Sequence, residues 1–216
     1  MRKYKCIIFD CDGVLVDSEV LGNQVMVDMA NEHGANIDID YAMKNFKGSF
    51  LKDCMRQVEN ILGKALPEDF EAQYRKRSFD IFKKELQPVK GIQEVLKSLD
   101  IPFCSASSGP HEKIKLNLKT AGLLHFFGNN IFSCYDIGKW KPDPAIFLYA
   151  AQAMGYEPKE CLVIEDSIFG VMAAKNGGFD VLGFTGDTED DSFAEQATAV
   201  FYDMKELIPM IKAIHA

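Results

Sequence analysis

The stretch Cys6-Ile7-Ile8-Phe9-Asp10-Cys11-Asp12-Gly13 constrains the fold more than any other. Four apolar residues run without a break into two aspartates one residue apart, then a glycine. So short an apolar run suits a strand buried on both faces, as in a parallel sheet. Strands of that kind present functional groups at their carboxyl ends, where open α/β sheets bind ligands. Asp10 and Asp12 are expected at that edge, and Gly13 lets the backbone leave by a tight turn. Two carboxylates so close repel each other and resist burial, so a positive partner is expected, most simply a divalent cation. Alone, the tripeptide is an ordinary turn composition, and the rest of the chain has to decide its meaning.

A second apolar run, Cys161-Leu162-Val163-Ile164, also ends in acids, Glu165-Asp166. Between these runs the pattern changes twice. From Asp17-Ser18-Glu19 to about Leu86 the apolar spacing is helical, with Leu21, Val25 and Met29 on one face. Met43, Phe46, Leu51, Met55, Val58, Ile61, Leu62, Phe70, Tyr74, Phe79, Ile81 and Phe82 are further core positions of a small bundle, broken at Gly48 and at Gly63–Pro67. After Gln87-Pro88, strands and helices alternate. Strands are expected at 102–106, 131–135, 161–164, 181–184 and 199–201, and helices carry Ile92/Val95/Leu96/Leu99, Ile114/Leu118 and Ile146/Tyr149/Ala150. An acid-rich loop occupies 187–191. Alternation of this kind implies a parallel sheet with right-handed crossovers. The expected architecture is α/β: a Rossmann-like parallel-sheet core from residues 1–14 and 87–216, with an inserted α-helical cap at 15–86.

Composition removes several function classes. The 216 residues suffice for one core and a smaller subdomain. Net charge is -8 with no basic stripe, so a nucleic-acid partner is not expected, and an anionic ligand must be held by a local site. No apolar run approaches the roughly 18 residues of a membrane span, and the run after Lys5 is too short for a secretory leader. The six cysteines (6, 11, 54, 104, 134, 161) show no Cys-x-x-Cys spacing and are read as reduced, which fits a cytoplasmic protein; Cys11 is read as a packed spacer. The four histidines have no ligand spacing, so zinc is not expected.

The chemistry lies in the placement of a few polar residues. Asp10 and Asp12, Ser107, Lys141, and Glu165 with Asp166 each follow the end of an expected strand, which gathers them on one edge of the sheet. Two acid pairs, a hydroxyl and a lysine suit phosphoryl transfer, where positioning and charge neutralisation do most of the work.

The chain resembles the haloacid dehalogenase superfamily, in its branch of phosphatases with a helical cap after the first motif. The motifs are Asp10-Cys11-Asp12-Gly13-Val14, Ser107 in Ser-Ala-Ser-Ser-Gly, Lys141 before Pro142, and Glu165-Asp166-Ser167. Tyr135 to Ala145 is similar to bacterial phosphatases of 6-phosphogluconate, and the β-phosphoglucomutase group is a near relative. The resemblance implies roles. Asp10 is the nucleophile and Asp12 the acid/base, contributing its backbone carbonyl to a Mg²⁺ site. Asp10 and Asp166 bind the metal by their carboxylates, with Glu165 as a direct or supporting ligand. Lys141 neutralises the nucleophile, and Ser107, with the amides near Ser108 and Gly109, holds phosphate oxygens. Lys47, in the loop Phe46–Ser49, and Arg75 are the candidates for contacting the far end of the substrate.

The implied ligand is a small phosphorylated metabolite of sugar or polyol type, 6-phosphogluconate among them. A monomer is expected, with a dimer as the alternative. Asp12 argues against dehalogenation, which needs no second acid there. A phosphomutase is the nearest alternative, weakened because the histidine of family mutases is replaced by Gly22. A non-catalytic phosphate-binding regulatory module is the alternative from another class.

Overall fold

A computed structural model describes residues 4–47, 49–186 and 193–215; Gly48 and the acid-rich loop at 187–191 lie outside the described residues. The strands are β1 (Cys6–Phe9), β2 (Phe103–Ser107), β3 (Ile131–Ser133), β4 (Cys161–Glu165), β5 (Asp180–Phe184) and β6 (Ala199–Phe201). They form one sheet in the order β3-β2-β1-β4-β5-β6, parallel throughout. The helices are α1 (Glu19–Glu32), α2 (Ile39–Asn45), α3 (Leu51–Leu62), α4 (Phe70–Glu85), α5 (Ile92–Ser98), α6 (His111–Thr120), α7 (Leu124–Phe127), α8 (Cys134–Ile137), α9 (Ala145–Met154), α10 (Ile168–Asn176) and α11 (Leu207–His215).

The apolar runs of β1 and β4 exist because both faces of the sheet are covered. Ile7, Phe9, Leu162 and Ile164 face α5, α6 and α11, packing with Ile92, Leu96, Leu118 and Leu207. Cys6, Ile8, Cys161 and Val163 face the other way, against Ile146, Phe147, Ala150 and Val171 of α9 and α10. Side chains alternate between faces with period 2, so a strand covered on both sides has no polar position. Each such Ile, Leu or Phe contributes roughly 1.5–3 kcal/mol through burial. All six cysteines are buried and free, Cys11 among them.

Helices α1 to α4 enclose a separate cluster that includes Met26, Met29, Ala42, Phe46, Val58 and Phe70. The segments leading into and out of these helices run side by side: Asp17 N–H donates to Gln87 O at 3.0 Å, and Val89 N–H to Leu15 O at 3.1 Å. Phe79 and Ile81 are half-buried, with Phe79 packed against the sheet core instead of the helical cluster. One strand is shorter than its sequence pattern suggests. The expected strand at 131–135 ends at Ser133, because Ser133 and Asp136 form a reciprocal capping box that starts α8.

Candidate active site

The carboxyl ends of β1, β2 and β4 are neighbours, next to the point where strand order reverses. Asp10 follows β1, Ser107 ends β2, Glu165 ends β4 with Asp166 next, and Lys141 comes in from the loop between α8 and α9. These residues, with Asp12, line one cleft of about 170 Å³ between the sheet edge and helices α1, α3 and α4.

Lys141 is the hub of one half of the site. Its ammonium donates to Asp10 Oδ1 at 2.6 Å and to Glu165 Oε1, and lies 4.9 Å from the centre of the Phe147 ring. Burial alone would push its pKa down, but the charges of Asp10 and Glu165 more than reverse this, and the amine is held firmly protonated. Glu165 is fully engaged. Its Oε2 accepts from the N–H groups of Asp166 and Ser167 and from Ser167 Oγ, each at 2.9 Å. Glu165 thus orients Lys141 and ties down the turn that carries Asp166.

Two glycines make room for these acids. A Cβ on Gly13, whose φ is +80°, would lie 2.0 Å from Asp166 Oδ2, and one on Gly170 would lie 1.8 Å from Glu165 Oε1. Carboxylate oxygens of Asp10, Glu165 and Asp166 come within 4.8 Å of one another. Burial and the neighbouring Glu165 and Asp12 charges, against Lys141, push Asp10 up to about 7. Burial and Glu165 push Asp166 up as well, against the Lys47 ammonium. A buried, like-charged oxygen cluster is the donor set that a hard divalent cation fits.

Asp12 is turned the other way. Its Oδ1 accepts from Ser18 Oγ at 2.6 Å and from Asn117 Nδ2 at 3.1 Å, and its Oδ2 accepts from Lys113 Nζ at 2.7 Å. Burial pushes this carboxyl up, but Lys113 and Ser18 outweigh it and hold it below the usual carboxylate range. Its carboxylate is outside the acidic cluster.

Ser107 Oγ accepts from Gly109 N–H at 3.1 Å, which leaves the hydroxyl proton to donate into the cleft. Trp140 Nε1 donates to Ser108 O at 3.2 Å and Ser133 Oγ to Gly109 O at 2.6 Å, fixing this loop just ahead of α6. Arg75 sits at the mouth of the cleft, donating to Glu71 and, at 2.8 Å, to the Tyr135 hydroxyl. Lys47 is placed differently from the sequence expectation. It lies 3.8 Å from Asp166 Oδ2, in an adjoining cavity of about 290 Å³ on the acid-cluster side, away from the far end of the main cleft. Asp166 supplies the negative charge that draws it there.

Sequence reasoning missed Lys113, Asn117 and the role of Ser18. The available signal was the spacing of Lys113 and Asn117, one helical turn apart on the helix that follows Ser107–Gly109. Ser18 reads as a helix-starting hydroxyl, yet its side chain makes no cap bond to α1 and serves Asp12 instead.

Residues 4–178 match the family of haloacid dehalogenase-like hydrolases. The chain is 32% identical over 214 residues to the 6-phosphogluconate phosphatase of Escherichia coli K12, covering 99% of this chain and 97% of that protein. A haloacid dehalogenase-like protein of unknown function from Agrobacterium tumefaciens has the same fold, with a TM-score of 0.87 and 31% identity over 99% of this chain and all 100% of that one. A putative β-phosphoglucomutase from Thermotoga maritima follows, with a TM-score of 0.78 and 25% identity over 97% and 99% of the two chains.

Proposed function

Since the chain belongs to the haloacid dehalogenase-like hydrolase family, we propose that it is a Mg²⁺-dependent phosphatase of small sugar or polyol phosphates, working through an aspartyl-phosphate on Asp10. The observation that carries this reading is the opposite setting of two aspartates one residue apart. Asp10 is paired with Lys141 and grouped with Asp166, whereas Asp12 faces Lys113, Asn117 and Ser18. Carboxylates in such different surroundings suit different tasks.

Asp10 attacks phosphorus, the ester P–O bond breaks, and the leaving oxygen takes a proton from Asp12, which must first take that proton up, since Lys113 and Ser18 hold it ionised in the free protein. A water then gives a proton to Asp12 and attacks the phosphorus of the aspartyl-phosphate. The bond to Asp10 breaks and inorganic phosphate leaves. Lys141 offsets charge on Asp10 and the phosphoryl oxygens in both steps, held on line by Glu165. The Ser107 hydroxyl and the Ser108 amide N–H line the cleft and would hold the phosphate, while the Gly109 N–H is taken by Ser107 Oγ. Asp10, Asp166 and the Asp12 carbonyl would hold Mg²⁺, which supplies positive charge against the phosphoryl oxygens. Helices α1 to α4 act as a cap that shields the first step from water.

Arg75, Tyr135 and Phe50 also line the cleft, and the Trp140 ring packs behind Phe50 with the ring centres 5.0 Å apart. Arg75 is the cation suited to an acid group at the distal end of a sugar-acid phosphate, and 6-phosphogluconate fits that description. The test is phosphate release from a panel of sugar, sugar-acid and polyol phosphates with Mg²⁺. Release without a bisphosphate activator, abolished in Asp10→Asn, supports the phosphatase. Release from none of them overturns it, and interconversion of two phosphate isomers without release points to a mutase.

A further inference from the structure

We propose that Lys113 is a positioning residue that fixes the Asp12 carboxylate toward the leaving group, and so decides which esters the enzyme can cleave; this rests on the acid/base reading of Asp12. Each of the two aspartates has its own lysine. Lys141 serves Asp10 and Glu165, and Lys113 serves Asp12. The two lysines come from different elements, the loop before α9 and the first turn of α6.

The geometry around Asp12 leaves it little freedom. Three donors from two places in the chain, Ser18 ahead of α1 and Lys113 and Asn117 one turn apart on α6, share its two oxygens, which fixes both position and rotation. Lys113 is itself fixed: its side chain is about three-quarters covered, and its ammonium is 5.7 Å from the centre of the Phe82 ring. Without that charge, Lys141, on the Asp10 side, is a cation that still acts on Asp12. The carboxyl would then turn toward the nucleophile and away from the departing oxygen. Lys113 reaches Asp12 from within the cleft wall.

A role confined to Asp12 has a signature that a general structural role lacks. A sugar alkoxide leaves only if it receives a proton, whereas p-nitrophenolate leaves without one. The experiment measures the single-turnover rate of enzyme phosphorylation by a sugar phosphate and by p-nitrophenyl phosphate, in wild type, Lys113→Met, Lys113→Arg and Asn117→Ala, each first shown to be folded by circular dichroism. The expected loss in Lys113→Met is about 100-fold with the sugar phosphate, the lower range for losing a general acid. The nitrophenyl ester should stay within about threefold of wild type by the same reasoning. Lys113→Arg should recover part of the loss, and Asn117→Ala should show a smaller discrimination in the same direction. Equal loss with both esters, or a rise in KM for both at unchanged rate, would make Lys113 a structural or phosphate-binding group and overturn the inference. If wild type is phosphorylated by neither ester, the phosphatase reading falls and takes this inference with it.

Discussion

The Lys141 ammonium lies 2.6 Å from Asp10 Oδ1, although 131 residues separate the two in sequence. The fold brings a loop from the far half of the chain onto the end of β1, where the same ammonium also meets Glu165. Replacing Lys141 with Met should leave Asp10 and Glu165 buried without a counter-charge. Breaking a buried pair from one side costs about 3–5 kcal/mol, so chemical denaturation should show a loss of that size. Phosphate release should fall by more than about 100-fold through lost electrostatic stabilisation. Activity near wild type would contradict the role given to Lys141.

Gly13 touches the site through what it lacks. Gly13→Ala would drive a methyl group into Asp166, with its Cβ 2.0 Å from Oδ2, and would strain a backbone at φ +80°. The variant is expected to be about 1–3 kcal/mol less stable and to bind Mn²⁺, followed by electron paramagnetic resonance, far more weakly than wild type. Unchanged Mn²⁺ affinity would show that Asp166 does not hold the metal.

Asp10 and Asp166 carry carboxyls raised above their ordinary values, Asp10 to about 7. A group whose pKa is higher folded than unfolded stabilises fully only below the unfolded pKa, and that contribution is lost as pH rises through the folded pKa. The metal-free protein should therefore lose thermal stability as pH rises from about 4, through about 7 for Asp10 and in the same direction for Asp166. Asp12 is shifted the other way, and its contribution is already complete over most of that range. Adding Mg²⁺ should flatten the fall by stabilising the ionised acids. Melting curves from pH 5 to 8, with and without Mg²⁺, check this; identical slopes would contradict it.

Arg75→Ala should raise KM for a sugar-acid phosphate by about tenfold, the size of one lost charge-assisted hydrogen bond, and leave KM for a neutral sugar phosphate nearly unchanged. Steady-state kinetics on the two substrates would show it. An equal change for both would remove Arg75 from specificity.

β1 and β4 were legible because burial on both faces leaves no position for a polar residue, and the acids that end those runs marked the site's edge. Lys141 was legible through its motif. Lys113 was not, because a lysine on an amphipathic helix looks like any solvated lysine until a partner 101 residues away is folded against it. The same holds for the Arg75–Tyr135 bond across the mouth of the cleft. At Ser133 a local capping box overrode the strand pattern, and at Ser18 a tertiary hydrogen bond took the hydroxyl that local rules assign to the helix. Lys113 and Arg75 meet partners distant in sequence, and neither belongs to a motif that announces the meeting.

The central claim is that Asp10 carries the phosphoryl group while Asp12 prepares its release. Asp12→Asn should still accept a phosphoryl group from p-nitrophenyl phosphate, whose leaving group needs no acid, but should not hydrolyse the intermediate. Intact-protein mass after mixing with Mg²⁺ should show the gain of one phosphoryl group, peptide mapping should place it on Asp10, and Asp10→Asn/Asp12→Asn should show none. A folded, metal-loaded Asp12→Asn protein that gains no phosphoryl group, or gains it at another residue, would contradict the account.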